Sequence, residues 1–335
     1  MKYILRRALY SIPAILIVVL LIFVMTRVMP GDPARMYAGE HAPEHVVDNI
    51  RESMGLNKSL PEQFVIYLQG LAKGDLGYAW HTERPVLQDF AIRFPASLEL
   101  VTFSILLAVL IGIPLGILSA THKNSPIDHA SRVISLVGAS MPVFWMGLVL
   151  ILFLYAMLGW APAPVGRMAR TLNDPTRITG LFLLDSLLTG DRLAFQASLR
   201  QLILPGITLS FSSLAMLSRM TRSSMLEVLN LDYVRTARAK GLKERIVIYR
   251  HAFSNALLPV LTVLGAQFGM LLGNTVVVET IFAWPGVGSY VTDSILMTDY
   301  APVQAFALLS ALMYMMINLA LDILYTVVDP RIRYE

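Results

Sequence analysis

The stretch DYVRTARAKGLKERIVIYRHAFSNALLP, Asp232–Pro259, is dense in Lys and Arg and lies between two long apolar segments. These segments, Gln201–Ser218 and Ala252–Val278, contain no Asp, Glu, Lys or Arg. A helix needs about 20 apolar residues to cross the hydrocarbon core of a bilayer. Basic residues concentrate in the connections that stay on the cytoplasmic side of the membrane. The stretch is therefore typical of a cytoplasmic loop between two transmembrane helices.

The composition of the whole chain is also that of a membrane protein. Of its 335 residues, 56% are hydrophobic and only 15% are charged, whereas soluble domains carry about 25% charged residues. Six apolar segments predict an all-α membrane protein with six transmembrane helices, of which the fourth is the shortest and contains several serines. The segments are Ala8–Thr26, Leu100–Thr121, Val133–Gly166, Gln201–Ser218, Ala252–Val278 and Tyr300–Leu321.

The basic residues near the two termini predict the orientation. Lys2, Arg6 and Arg7 indicate a cytoplasmic N-terminus, and six spans return the C-terminus, with Arg331 and Arg333, to the same side. The first segment could instead be a signal peptide, but no A-x-A cleavage site follows it, which favours an uncleaved span. Both termini are expected in the cytoplasm. The basic loop, expected on that side as well, can act as a topology anchor beside anionic lipid, at about 1 kcal/mol per basic residue.

The residue pattern inside the basic loop predicts a short helix. Asp232 is a candidate N-cap, helix-forming residues follow, and Gly241 is placed for the left-handed residue that ends a helix. Tyr233, Ala237 and Gly241 are spaced by four and share one nearly bare face. Such a face can dock into a groove on another protein, and the alternative is an ordinary connector with a terminal glycine. A second helix is expected over Lys243–Asn255, leading into the fifth span.

The loop resembles the cytoplasmic "EAA" loop of ATP-binding-cassette (ABC) import permeases. In that motif, three residues separate E-A-A from a glycine. Nine further residues then separate the glycine from I-x-L-P. Ala237 and Gly241 match the second alanine and the glycine, whereas Arg235 stands at the glutamate and Thr236 at the first alanine. The Leu-Pro pair falls five residues late, at Leu258–Pro259. The resemblance implies that the loop docks an ATPase through Tyr233, Arg235, Thr236, Ala237, Arg238 and Gly241.

Motifs along nearly the whole chain resemble the dipeptide, oligopeptide and nickel branch of this family. They are MPGDP (Met29–Pro33), GDLG (Gly74–Gly77), TRSSMLEVL (Thr221–Leu229), VVVETIFAWPGVG (Val276–Gly288) and DPRIRY (Asp329–Tyr334). The resemblance implies a type I ABC importer permease fold in the bacterial cytoplasmic (inner) membrane. It also implies a second homologous permease chain, two ATP-binding subunits that hold the ATP and Mg, and a periplasmic or lipid-anchored binding protein. The implied substrates are di- or oligopeptides, with nickel and glutathione as alternatives.

The expected organisation follows from the spans and this resemblance. Residues 1–28 form an N-terminal transmembrane helix, and residues 29–96 an external segment with short helices. Residues 97–327 form the ABC transmembrane type-1 domain with five helices, including the coupling loop 219–255. Residues 328–335 form a cytoplasmic tail.

The residues argue against an enzyme. The chain has no G-x-x-x-x-G-K-[ST] phosphate loop, so an ATP-driven process needs its nucleotide site on another protein. HAPEH at His41–His45 fits the H-x-x-E-H zinc-protease pattern, but Pro43 predicts that the helix begins between the two histidines. No cysteine is present, so no thiolate metal site or disulfide can form. No cofactor and no nucleic-acid partner is expected.

A secondary peptide carrier that works alone is the main alternative from another class. Such carriers use ionisable residues at mid-membrane depth as a proton or sodium relay. The predicted spans carry almost none, since Glu279 and Asp322 are expected at the membrane interfaces. This distribution favours an external energy source.

Glycines at four-residue spacing predict close helix packing. Gly265, Gly269 and Gly273 form a doubled G-x-x-x-G face in the fifth span, either for packing inside the chain or as a seam with a partner chain. Gly112 and Gly116 repeat the spacing in the second span.

The external segments are expected to contain helices as well. Ser59 and Glu62 form a capping box that predicts a helix over Leu60–Ala72, and a second helix is expected over Pro43–Met54. TGLFLLDSLLTGD, from Thr179 to Asp191, predicts a helix on the membrane surface. The aromatic residues expected in the interfacial belts are Tyr155, Trp160, Trp284 and Tyr300.

Overall fold

The computed structural model describes residues 13, 15–25, 32–39, 41–169 and 171–328. The basic N-terminus, the first three residues of MPGDP and the DPRIRY tail lie outside the described residues, so the predictions made on them stay predictions. The chain forms two compact units, which are described separately. The first comprises Met1–Phe94 with Tyr290–Met315, and the second comprises Pro95–Ser289 with Met316–Glu335.

The described residues are mostly helical, with one small hairpin of strands β1 (Tyr78–Ala79) and β2 (Arg84–Pro85). The helices are α1 Ile15–Met25, α2 Pro33–Ala38, α3 Glu44–Ser53, α4 Leu60–Ala72, α5 Val86–Thr121, α6 Pro126–Ser140, α7 Val143–Leu150, α8 Phe182–Thr189, α9 Arg192–Leu229, α10 Asp232–Ala239, α11 Glu244–Ile246, α12 Ser254–Ile281, α13 Val287–Leu296 and α14 Tyr300–Val328. Helix α7 continues as a π-helical segment over Ile151–Met157, and a second π-helical segment, Val247–Phe253, joins α11 to α12.

Four helical stretches in the described part of the chain are long and apolar enough to cross a membrane: Val86–Thr121, Arg192–Leu229, Glu244–Ile281 and Tyr300–Leu324. The predicted third span is broken. It consists of α6 and Val143–Met157, which meet at 111° and would add a fifth span if counted as one. The break falls at Met141 and Pro142, whose backbones are extended, because proline disfavours helical geometry in the residue before it. The predicted first span is described only as the shorter apolar helix α1.

Helix α9 is the centre of the second unit. It packs against α6, α7, α8 and α12. Most serines of this predicted span are buried, namely Ser210, Ser213 and Ser218, and Ser213 donates a hydrogen bond to Gln267 of α12 at 3.0 Å. Burial of the serines explains the composition, because this helix faces other helices more than it faces lipid.

The first unit contains the helices expected before the second span. Helix α4 has the predicted bounds, and its capping box is present, with Glu62 accepting from the backbone N–H of Ser59 at 3.1 Å. Its Phe64 and Tyr67 pack with Val19 and Ile22 of α1 in one apolar cluster. Helix α3 begins at Glu44, so His41 lies outside it, as Pro43 predicted. No group of three or more His, Asp or Glu that could hold a metal is found among the described residues.

The loop predicted as the second external loop contains the expected helix as α8, ended by Gly190 in the left-handed conformation. Its Asp185 and Ser186 are buried, so one face of α8 contacts the protein. Trp160 is 78% exposed, as a belt residue should be, but Trp284 is only 1% exposed. The belt assignment of Trp284 is therefore wrong. Its indole N–H donates to the carbonyl of Ala96 at 2.9 Å, and the ring packs inside the second unit.

Candidate functional site

Helix α10 occupies the centre of the basic loop. Its N-cap residue is Leu231, and Asp232 lies in the first turn. The predicted capping role of Asp232 is therefore wrong. The Asp232 side chain is almost fully exposed and lies 3.5 Å from the guanidinium of Arg235, while its carbonyl accepts a hydrogen bond from Thr236 at 2.9 Å. A carboxylate in the first turn still interacts favourably with the helix dipole, which explains its position one residue later.

Gly241 ends the helix as the sequence predicts. Its φ is +73°, which side-chain-bearing residues rarely adopt, and its N–H donates to the carbonyl of Arg238 at 2.9 Å. No heavy atom lies within 4 Å of the position that a Cβ would occupy. The glycine is thus required by the backbone turn and leaves an open, bare spot on the surface.

One side of α10 packs against the protein's own helices. Val234 is fully buried and Ala237 is 6% exposed. Both belong to an apolar cluster, called here the inner cluster, that also contains residues of α5, α9, the π-helical segment Val247–Phe253 and the start of α12: Ile117, Ala120, Met225, Val228, Val247, Ala252 and Ala256. Val234 and Ala237 are three residues apart and share a face. Ala237 therefore does not lie on an exposed face with Tyr233 and Gly241, contrary to the interpretation of their spacing.

The other side of α10 is exposed and mostly polar. We call it the loop surface: Asp232, Tyr233, Arg235, Thr236, Arg238, Ala239, Lys240 and Gly241. Burial raises the pKa of Tyr233, so its phenol is neutral at physiological pH. Its hydroxyl contacts the carbonyl of His251 at 3.4 Å. The structure brings together on this surface every predicted docking residue except Ala237.

An ion pair closes the turn behind the loop surface. The Arg238 guanidinium donates to both carboxylate oxygens of Glu244, with Nη2 to Oε1 at 2.8 Å and Nε to Oε2 at 3.2 Å. Both side chains are substantially exposed, so the pair contributes at most about 1 kcal/mol to stability. Its effect is geometric, because it holds α11 at a fixed distance from the end of α10.

A buried charge network lies near the inner cluster and was missed by sequence reasoning. The Asp128 carboxylate accepts two hydrogen bonds from Arg222, at 2.7 and 3.0 Å, and one from the Ser119 hydroxyl at 2.6 Å. It also accepts from the Asn124 N–H at 2.9 Å. Asp128 is completely buried. The network ties together α5, α6 and α9 at the ends where α10 contacts α5 and α9.

A second buried ion pair fixes the loop after the third predicted span. The Arg167 guanidinium donates to Glu99 at 2.6 Å and to the carbonyl of Gly180 at 2.9 Å, and it stacks 3.6 Å from the Phe182 ring centre. Burial lowers the pKa of Arg167, and the nearby Glu99 carboxylate opposes that shift. Glu99 also accepts the N–H of Leu183 at 2.7 Å. Together, the contacts at Gly180 and Leu183 hold the segment before α8 and the first turn of α8 against α5.

Glu279 and Asp322, the two acidic residues predicted near the membrane interfaces, are both buried inside the protein. Glu279 is completely buried and accepts the Ser97 hydroxyl and, at 3.0 Å, the Ser289 N–H. A Cβ on Gly286 would lie 2.1 Å from a Glu279 oxygen, so only glycine lets the loop wrap around this carboxylate. Asp322 is 6% exposed. Burial inside the protein does not decide the depth of these residues in the membrane, so their position near the interfaces stays a prediction.

The glycines of the fifth span have unlike surroundings. A Cβ on Gly265 would lie 1.8 Å from a methyl group of Leu321, so this glycine packs against α14 of the same chain. Gly269 is partly exposed and Gly273 is exposed, and no heavy atom lies within 4 Å of a Cβ at Gly273. Gly112 and Gly116 pack against α9, where a Cβ would approach the carbonyls of Leu214 and Ser218 at 2.9 and 2.6 Å respectively.

These features define a class: a helical membrane protein with several spans and an exposed basic helix seated on their ends. The chain belongs to the inner membrane components of binding-protein-dependent transport systems. The sequence model of that family matches residues 112–334, and the model of its N-terminal part matches residues 1–101. The protein is accordingly a multi-pass transport subunit of the bacterial inner membrane and not an enzyme.

Several relatives are similar to this chain over most or all of their length. "Probable D,D-dipeptide transport system permease protein DdpB" of Escherichia coli K12 is 46% identical over 92% of this chain and 91% of its own. The dipeptide transport system permease protein DppB of the same strain is 42% identical over 100% and 99%. The glutathione transport system permease protein GsiC of Pectobacterium atrosepticum is 39% identical over 100% of both chains.

Proposed function

We propose that this chain is a permease subunit of an ATP-driven importer that moves di- and oligopeptides across the cytoplasmic membrane by alternating access. The observation that carries the proposal is the loop surface around Gly241, which is exposed and basic and is held rigidly against three spans. In this proposal ATP and Mg are bound by two partner ATPases, which dock on the loop surface through Tyr233, Arg235, Thr236, Arg238 and Gly241. Ala237 supports the same helix from the inside.

The packing of α10 suggests how ATPase movement reaches the pathway. Val234 and Ala237 contact the same apolar cluster as Ile117 of α5 and Met225 of α9. Close-packed protein interiors transmit displacement because they compress little. When the ATPases approach each other, α10 carries the ends of α5 and α9 with it. The pathway then opens outward, and hydrolysis returns it to the inward state.

The complete assembly is also part of the proposal. The proposed six spans would be the four long helical stretches, the broken pair of α6 and Val143–Met157, and the shorter apolar helix α1. The basic residues at both ends of the chain support cytoplasmic termini, and a type I permease fold completes the proposal. A second, homologous permease would pack on the open side of α12 at Gly269 and Gly273. A periplasmic or lipid-anchored binding protein would deliver substrate on the external side.

The names of the relatives support peptides as the substrate class. Two of the three relatives above are dipeptide permeases, and the third transports glutathione, which is itself a tripeptide. Glutathione is therefore the first alternative substrate, and nickel rests only on the motif resemblance. A stand-alone secondary carrier is the alternative mechanism, and it predicts uptake that continues without any ATPase.

Substitution of Gly241 tests the docking role. Gly241→Asp adds bulk and a negative charge to the loop surface, whereas Gly241→Asn adds almost the same bulk without charge. Asp and Asn both tolerate a left-handed backbone, so the strain of the turn is matched between the variants. The chain should reach the membrane in normal amount in both cases. We expect Gly241→Asp to abolish ATP-dependent peptide uptake and to lower recovery of the ATPases with the tagged chain.

Three results would separate the possible explanations. Loss of uptake with Gly241→Asp and clear residual uptake with Gly241→Asn would show that charge at the docking contact matters. Normal uptake by the Asp variant would contradict the docking role of the loop surface. Uptake in vesicles that contain no ATPase would favour the secondary carrier instead.

A further inference from the structure

A second basic feature lies next to the loop surface but is separate from it. Arg245, Ile246, Tyr249 and Arg250 line an open cavity of about 350 Å³ at the junction of α11 and the π-helical segment Val247–Phe253. None of these four residues belongs to α10. The proposed coupling mechanism does not use them, so their arrangement needs its own explanation.

The π-helical geometry accounts for the grouping of the two arginines. An α-helix has 3.6 residues per turn, so residues i and i+5 lie well over one turn apart and point to different sides of the helix. A π-helix bonds residue i to i+5, so that residues five apart lie nearly above one another. Arg245 and Arg250 are five residues apart, and most of the intervening chain is π-helical. Both side chains therefore line the same cavity.

The cavity carries uncompensated positive charge. Neither Arg245 nor Arg250 forms a salt bridge within the part of the chain that the structure describes. The adjacent carboxylate, Glu244, is already paired with Arg238 in a bidentate contact. Two guanidinium groups that share one cavity repel each other unless an anion lies between them. The arrangement therefore favours an anionic ligand.

The position of the cavity and its apolar lining indicate which kind of anion it binds. The site lies at the first residues of the span candidate Glu244–Ile281, which is where a helix passes through the headgroup layer. Ile246 is 40% exposed and Tyr249 is 51% exposed, so the charged cavity is bordered by apolar and amphipathic surface. Tyrosine is enriched at this depth because its ring is apolar and its hydroxyl is polar. A diffusible anion needs no such border, whereas a lipid does.

We propose that Arg245, Tyr249 and Arg250 bind the phosphate of an anionic phospholipid headgroup, with Ile246 and the Tyr249 ring contacting the glycerol and the first acyl carbons. Guanidinium groups suit this role because their planar donors match phosphate oxygens in pairs. The bound lipid holds the start of α12 at a fixed depth. It thereby also fixes one side of the inner cluster, to which Val247 and Ala252 contribute.

The test uses the full chain, purified with its partner subunits in nanodiscs of neutral phosphatidylcholine. The probe is a fluorescent short-chain phosphatidylglycerol, and its dissociation constant is measured by titration. Arg245→Gln/Arg250→Gln is compared with Lys58→Gln/Lys73→Gln, which removes the same charge from exposed lysines that flank α4, outside the span candidates. Each basic residue near a membrane surface is worth about a fivefold change in anionic-lipid affinity. We expect roughly 20-fold weaker binding for the first variant and less than a threefold change for the control.

Competition and assembly measurements separate the other occupants. Inorganic phosphate at millimolar concentration should fail to displace the labelled lipid, and displacement at that level would mean that the cavity holds a free anion instead. Equal lipid affinity in both double variants would overturn the proposal. Equal lipid affinity together with loss of the ATPases from Arg245→Gln/Arg250→Gln would assign these arginines to the protein-docking surface instead.

Discussion

Removal of the Asp128 carboxylate should strongly destabilise the protein. Asp128 is completely buried and accepts four hydrogen bonds, two of them from Arg222. Breaking a buried ion pair from one side costs about 3–5 kcal/mol, because the remaining charge stays buried without a partner. Arg222 keeps about a fifth of its side chain exposed and can recover some solvation. We therefore expect Asp128→Asn to cost about 3 kcal/mol.

The assay is thermal unfolding of the purified protein in mild detergent, followed by intrinsic fluorescence. For a chain of this size a loss of about 3 kcal/mol should lower Tm by roughly 4 °C. The matched control is Glu227→Gln, which removes the charge of an exposed carboxylate on the same helix as Arg222. Surface substitutions of this kind change stability by about 0.5 kcal/mol or less.

A double variant makes the reasoning refutable. Asp128→Asn/Arg222→Gln removes both charges and leaves no unpaired ion, so it should lose clearly less stability than the sum of the two single variants. Additive losses would mean that the two side chains do not act as a pair. A Tm for Asp128→Asn equal to that of Glu227→Gln would refute the buried network as a source of stability.

Two further predictions concern the fifth span. Gly265→Val should lower Tm, because the new Cβ lies where a Leu321 methyl group packs. Gly273→Val faces open space, so it should leave Tm unchanged while reducing co-purification of the second permease. Equal effects of both variants on Tm would contradict these different roles. Glu279→Gln should destabilise the protein by about 2–3 kcal/mol. The amide has only one acceptor oxygen, so it cannot accept from both Ser97 and Ser289 as the two carboxylate oxygens do. A Tm within 1 °C of the wild type would argue against a structural role.

Local features were the most predictable from the sequence. The capping box fixed the bounds of α4, and Gly241 is left-handed where the pattern required it, because both depend on residues within one or two turns. Pro142 indicates a bend, but its angle of 111° could not be predicted, because the apolar run on both sides looks the same at any angle.

Features that depend on distant pairing were not predictable. Asp128 and Arg222 are far apart in the chain, and neither belongs to a motif that names the other. Trp284 was misplaced because an aromatic residue next to a span fits a belt and a core equally well. Ala237 was assigned to the wrong face of α10. Its spacing fits a face shared with Tyr233 as well as one shared with Val234. Only the contacts with α5 and α9 show that it faces inward.

The buried serines of α9 have a consequence for biogenesis. A helix with this many hydroxyl groups gains little from contact with acyl chains alone, so its residence in the bilayer depends on partners that satisfy those groups. Ser213 finds its partner on α12, which is synthesised later. Helices α6, α7 and α8 precede α9, so α12 is the packing partner that is still missing when the ribosome releases α9. Membrane insertion of this segment should be completed only when α12 arrives, and a chain truncated after α9 should be recognised by the cell's membrane quality control.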